Sequence, residues 1–128
     1  MLKIFLIQPM RGKGIEEILE ERKAVVNSLE SKEDFEIINN VYDSPTEKVK
    51  YDSVWYLGKS LEALSKADLV LLYPGWENYD GCVVEFQCAS KNKIPMKQLL
   101  TQRETEIIKR NKRVKKSLFQ RFKEFFKL

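Results

Sequence analysis

The sequence predicts a three-layer α/β domain built on a parallel sheet of about four to five strands, and three observations carry that prediction. Apolar runs of strand length and amphipathic stretches of helix length follow one another in the order β-α-β-loop-α-β-α-β-α, the alternation that produces a parallel sheet with right-handed crossovers. The run Leu69–Tyr73 reads as a buried strand. It breaks at Pro74-Gly75, crosses a polar loop and restarts at Gly81 as a helix. A strand–loop–helix junction of this kind is where open α/β sheets bind ligands, because the strand's carboxyl end and the helix's N-terminus meet at a crevice. The expectation is a Rossmann-like or flavodoxin-like domain over residues 1–100, followed by a basic amphipathic C-terminal helix over residues 101–128.

Each element has its own warrant. Lys3–Gln8 is the first strand, too short for a signal-peptide core and running directly into Pro9. Pro9-Met10-Arg11-Gly12-Lys13-Gly14 is a loop with two glycines and two cations. Ile15–Ser31 is a helix with Ile15, Ile18, Leu19, Val25, Val26 and Leu29 near one face and four glutamates in its N-terminal half. Asp34–Asn39 is the second strand, and Asn40–Tyr51 a long polar loop. Asp52 or Ser53 caps a second helix that runs to Lys66, with Val54, Leu57, Leu61 and Leu64 as its apolar stripe. The third strand is Leu69–Tyr73 and the third helix about Gly81 to Asn92. Ile94-Pro95-Met96 opens a short fourth strand, and the pattern is helical from Thr101 onward.

Composition narrows the function classes. The chain has 128 residues, 43% of them hydrophobic, which suits one domain with a real core. No apolar run reaches the ~18–20 residues of a membrane span. There is no histidine, which excludes a His-based triad and any His metal site, and two cysteines alone make a poor zinc site. Cys82 and Cys88 lie six apart in one predicted helix, on different faces, so they are not expected to pair. Free thiols without an export signal favour a reducing, cytoplasmic setting. The net charge of +4 is uneven: residues 101–128 carry ten Lys/Arg against three Glu, while residues 1–100 are net acidic.

Three constellations could carry chemistry. Met10-Arg11-Gly12-Lys13-Gly14, between a strand and a helix, offers backbone N–H groups and two cations to an anion, although it matches neither GxxxxGK[ST] nor GxGxxG. Its other reading is a surface turn with solvated cations. Glu85 sits among Val83, Val84 and Phe86, and a carboxylate in apolar company needs a partner, a ligand or a task. Near an anomeric carbon it could act as a nucleophile. Asp80 is either the cap of that helix or a second functional acid, and Glu77 reads as a solvated loop residue. Tyr73, Trp76 and Tyr79 fall at the mouth of the expected crevice, where they could stack on a base. Trp55 and Tyr56 read as core or interface.

These residues resemble the nucleoside 2-deoxyribosyltransferase-like superfamily, most of all its small members found in phages and Firmicutes. The likeness covers residues 1 to about 97. It is most specific at Gln8–Lys13 and at Pro74-Gly75-Trp76 followed by Gly81-x-x-x-Glu85-x-x-x-Ala89. The resemblance implies cleavage of the N-glycosidic bond of a deoxynucleoside or deoxynucleotide: a helix glutamate attacks C1′, and the sugar passes to another base or to water. Glu85 falls on that glutamate, Gly81 on the glycine that lets the ligand approach, and Arg11-Gly12 on the Arg-Gly that holds the 5′-phosphate. Three positions differ from the hydrolases. Tyr79 and Pro9 stand where they carry serines, and Ser60 stands where they carry a catalytic acid, a role for which Asp80 is the candidate substitute. The expected catalytic residues are therefore Glu85 and Asp80. The expected substrate-binding residues are Gln8, Met10, Arg11, Gly12, Trp76, Tyr79 and Gly81, with no metal and no cofactor.

The alternative function is a non-catalytic nucleotide-binding or sensing module that assembles through its C-terminal helix. By analogy with related folds the chain is expected to form a homo-oligomer, a dimer or higher. In the tail, Phe119, Phe122 and Phe126 recur at helical spacing among many cations. Burial of that face in a self-association contact is the expected role, with an anionic membrane or nucleic acid as the other partners.

Overall fold

The computed structural model describes residues 1–29, 34–101 and 103–104, so all but the first turn of the expected C-terminal helix lies outside the described residues. Four parallel strands form one sheet: β1 (Leu2–Ile7), β2 (Phe35–Ile37), β3 (Leu69–Leu72) and β4 (Met96–Gln98), in the order β2-β1-β3-β4. Three helices connect them: α1 (Ile15–Ser28), α2 (Asp52–Leu64) and α3 (Asp80–Lys91), with a 3-10 turn at Trp76–Asn78 leading into α3. The register places Ile4 beside both Ile37 and Leu69, and Leu72 beside both Ile7 and Gln98.

The strands form where sequence length and apolarity demand it. Ile4–Ile7 and Leu69–Leu71 are completely buried, because the two central strands are covered on both faces. Alternate side chains serve different layers. Phe5, Ile7, Val70 and Leu72 meet Ala63 and Leu64 of α2 and Cys82 and Ala89 of α3. Ile4, Leu6, Leu69 and Leu71 face the other way, where Val25 and Leu29 close over them from α1 and its cap. Helix α1 thus covers one face of the sheet, and α2 and α3 the other. At ~1.5–3 kcal/mol for each fully buried aliphatic or aromatic side chain, these two central strands supply most of the driving force.

Several expectations change in detail. The buried face of α1 runs through Ile18, Arg22, Val25 and Leu29, while Ile15 and Leu19 are half exposed. The helix is rotated from the most apolar choice because Arg22 points inward. On α2 the inward residues are Ser60, Ala63 and Leu64, and Val54 is 66% exposed. Neither Asp52 nor Ser53 caps α2: its N-cap is Tyr51, with no side-chain cap bond. Asp80 is likewise no cap, since Tyr79 holds the N-cap position of α3 and Asp80 is the first helical residue. Strand β2 is shorter than Asp34–Asn39, although Ile38 still donates its N–H to Ile4 O at 2.8 Å. Thr101 and Glu104 form a reciprocal capping box, each backbone N–H donating to the other's side chain at 3.1 Å, where the sequence pattern turns helical.

The strand order matters for function. From β1 the chain moves outward to β2, then crosses back past β1 to β3, so connections leave β1 and β3 toward opposite sides. The crevice at their carboxyl ends is the switch point at which sheets of this type hold ligands.

Candidate functional site

A cavity of about 630 Å³ lies at that switch point. The loop after β1 contributes Met10, Arg11 and Lys13; the segment after β2 contributes Asn40 and Tyr42; α2 contributes Tyr56 and Ser60; α3 contributes Asp80, Gly81 and Glu85. Its size is that of a small-molecule site. Two left-handed glycines shape the loops that border it: Gly12 (φ 79°) turns the β1 loop, and Gly75 (φ 85°) turns the chain after β3. A side chain at either position would be strained.

Glu85 is 7% exposed and faces this cavity from the first half of α3. Ser60 donates its hydroxyl to Glu85 Oε2, and the other carboxylate oxygen takes no hydrogen bond among the described residues. Burial pushes the Glu85 carboxyl up to about 7, while the Ser60 bond and the Arg22 charge pull it back. The group therefore sits half ionised near neutrality, poised as nucleophile or acid. Cys82, one turn earlier, is pushed up to about 12 by burial and by Glu85, so it stays a neutral thiol with no nucleophilic role.

A chain of side chains extends from Glu85 through the site. Ser60 Oγ accepts from Asn40 Nδ2 at 3.2 Å. Asn40 Oδ1 accepts from the Arg22 guanidinium, whose Nε donates to Gln8 Oε1 at 2.8 Å. Gln8 Nε2 donates to Ile18 O at 3.1 Å and to Glu21 Oε1 at 2.9 Å. Glu21 in turn pairs with Lys13 at 2.8 Å. The Lys13 pair raises the lysine's pKa, the Glu21 hydrogen bond outweighing burial. The network crosses the end of the sheet, from α1 on one face to α2 and α3 on the other. Tyr73, on the α1 face, has a buried hydroxyl with no partner among the described residues, and burial lifts it to about 12.

The structure brings together most of the residues singled out from sequence. Met10, Arg11, Tyr79, Asp80, Gly81 and Glu85 all line the cavity. Arg11 is exposed and makes no hydrogen bond or ion pair among the described residues, which leaves its guanidinium available to a ligand. Gln8 also lines the cavity, but it is buried and its amide is spent on Ile18, Glu21 and Arg22, so it builds the wall instead of reaching a ligand. Gly12 shapes the loop without lining the cavity. Trp76 is not at the mouth: its indole N–H donates to Gln98 Oε1 at 3.1 Å and its ring packs on Phe86, centroids 4.4 Å apart. The aromatic side chains that do line the cavity are Tyr42, Tyr56 and Tyr79.

Arg22, Asn40 and Tyr42 carry no motif and were not expected in the site. The first two leave a trace in the sequence, and Tyr42 leaves none. Arg22 interrupts the 18, 25, 29 apolar stripe of α1 at a buried position, and Asn40 follows a strand on the same sheet edge as Gln8. Among the described residues no group of His, Cys, Asp and Glu is placed to hold a metal ion, and no helix is long and apolar enough to cross a membrane. Comparison with family models, with curated proteins and with solved structures finds no match to this chain.

Proposed function

We propose that the chain cleaves or transfers the N-glycosidic bond of a deoxynucleoside or deoxynucleotide, with Glu85 as nucleophile. The observation that carries this reading is the placement of Glu85: buried at the switch-point cavity, one oxygen held by Ser60, the other uncommitted. In the reaction, a Glu85 carboxylate oxygen forms a bond to C1′ as the C1′–N bond breaks. The departing base needs a proton, and Asp80, exposed on the same cavity five residues earlier on α3, is the residue assigned to relay one from solvent. Water or a second base then attacks C1′ of the glycosyl ester and frees Glu85. Arg11 supplies an uncommitted cation for a 5′-phosphate, and Tyr42, Tyr56 and Tyr79 supply faces for the base.

The test is incubation of the full chain with deoxynucleosides and deoxynucleotides, reading free base by chromatography. Base release by the wild type, with a loss of ~10³-fold or more in Glu85→Ala, supports the reading. Ligand binding without base release favours the non-catalytic nucleotide-binding module. Base release at the wild-type rate from folded Glu85→Ala removes the glutamate mechanism.

A further inference from the structure

Arg22 presents a problem of charge balance. It is 7% exposed, yet no carboxylate touches it. Its hydrogen bonds go to Gln8 Oε1, Ile38 O and Asn40 Oδ1, all neutral. A buried guanidinium without a counter-charge is strongly unfavourable. Glu21, on its own helix, is already engaged by Lys13 and Gln8. Burial opposes the Arg22 charge, and the groups that support it are Tyr73, Glu85 and Tyr42. Tyr73 is lifted to about 12 and Tyr42 is raised by burial, so both are neutral at ordinary pH. Glu85 is the one carboxylate of that set.

The hydrogen-bond chain between them has a forced direction. Arginine can only donate, so Asn40 must turn its Oδ1 toward Arg22. Its Nδ2 then faces Ser60, and Ser60, accepting there, gives its own proton to Glu85. Every donor in the chain points from the guanidinium toward the carboxylate. Such a chain stabilises the ionised form of Glu85 over the neutral form. The other titratable groups facing Glu85 do not compete: Cys82 on its own helix and Tyr42 on the β2–α2 segment are neutral. Arg11, Lys13, Asp43, Tyr56, Tyr79 and Asp80 also line the cavity.

We propose that Arg22, acting through Asn40 and Ser60, is the positioning residue that orients Glu85 and favours its charged carboxylate form against burial. The proposal rests on the reading of Glu85 as nucleophile, since a neutral carboxylic acid does not attack C1′. It assigns a site role to three residues on three different elements, and it accounts for a buried arginine in an apolar helix face.

The experiment is a carboxyl-carbon NMR titration of Glu85 in the full chain, its signal assigned by Glu85→Gln. Arg22→Met and Ser60→Ala are each expected to raise the Glu85 midpoint by about one pH unit. Ser60→Thr is expected to restore it. Arg22→Met added to Ser60→Ala is expected to shift it less than the two separate shifts combined, because one chain carries both. An unmoved midpoint in folded Arg22→Met overturns the proposal. Where Arg22→Met does not fold, Asn40→Ala carries the same test, and an unmoved midpoint there overturns it equally. The titration needs no turnover, so it separates the two readings. Shifted midpoints with no base release sink the enzymatic function alone, and base release with unmoved midpoints sinks the Arg22 role alone.

Discussion

Glu85→Gln should stabilise the protein at alkaline pH and leave it nearly unchanged at acidic pH. The folded-state carboxyl lies at about 7, raised from an ordinary 4.5 chiefly by burial. Below 4.5 the group is protonated in both folded and unfolded chains, and folding carries no charge penalty there. Between 4.5 and 7 the folded state holds a proton that the unfolded state has lost. Stability therefore falls as pH rises through this window and levels off above it. A shift from 4.5 to about 7, at 1.36 kcal/mol per unit, corresponds to about 3 kcal/mol. Glutamine keeps the shape and an oxygen for the Ser60 hydroxyl but has nothing to ionise. The assay is urea unfolding of wild type and Glu85→Gln at pH 4.5 and pH 8.5, comparing the difference between the two proteins so that all other titrations cancel. The variant should gain about 3 kcal/mol on the wild type between those pH values, with the denaturant slope unchanged. A difference that stays constant with pH would refute the burial argument.

Other expectations follow from the same geometry. Arg11→Ala should weaken deoxynucleotides by about 1.5–3 kcal/mol while nucleosides lose little, as read by calorimetry with matched pairs; equal losses would assign Arg11 to the sugar or the fold. Gly81→Ala should raise helix stability by up to about 1 kcal/mol in thermal melts. Apart from its own neighbours and helix backbone, no described atom lies within 4 Å of the added Cβ, and the position lines the cavity, so the same variant should bind nucleotides more weakly. Trp76→Phe should cost about 1 kcal/mol of stability through the lost bond to Gln98. It should leave ligand affinity intact, and a large affinity loss would return Trp76 to the site.

The chain itself specified the order of the elements and which ends converge. Apolar runs as long and pure as Ile4–Ile7 and Leu69–Leu72 have one inexpensive solution, a central strand covered on both faces. Helices between them then force a parallel sheet, and a parallel sheet gathers every strand's carboxyl end on one edge. That is why the Arg11 loop and Glu85, 74 residues apart, were expected at one crevice and do line one cavity. The tertiary structure decided what periodicity cannot encode. A hydrophobic stripe says that a helix has an inner face, but not that a charged Arg22 belongs to it. That depends on Gln8, Ile38 and Asn40 arriving from other elements to satisfy its donors. Trp76 could have stacked on a ligand or on the body, and the position of Gln98 on β4 settled it. That Ser60, Asn40 and Arg22 serve Glu85 was hidden for the same reason. They sit on three other elements, and only the strand order brings those elements together over the end of β1. Local pattern fixes the character of each residue; a buried polar group is given its role by the long-range contacts that satisfy it.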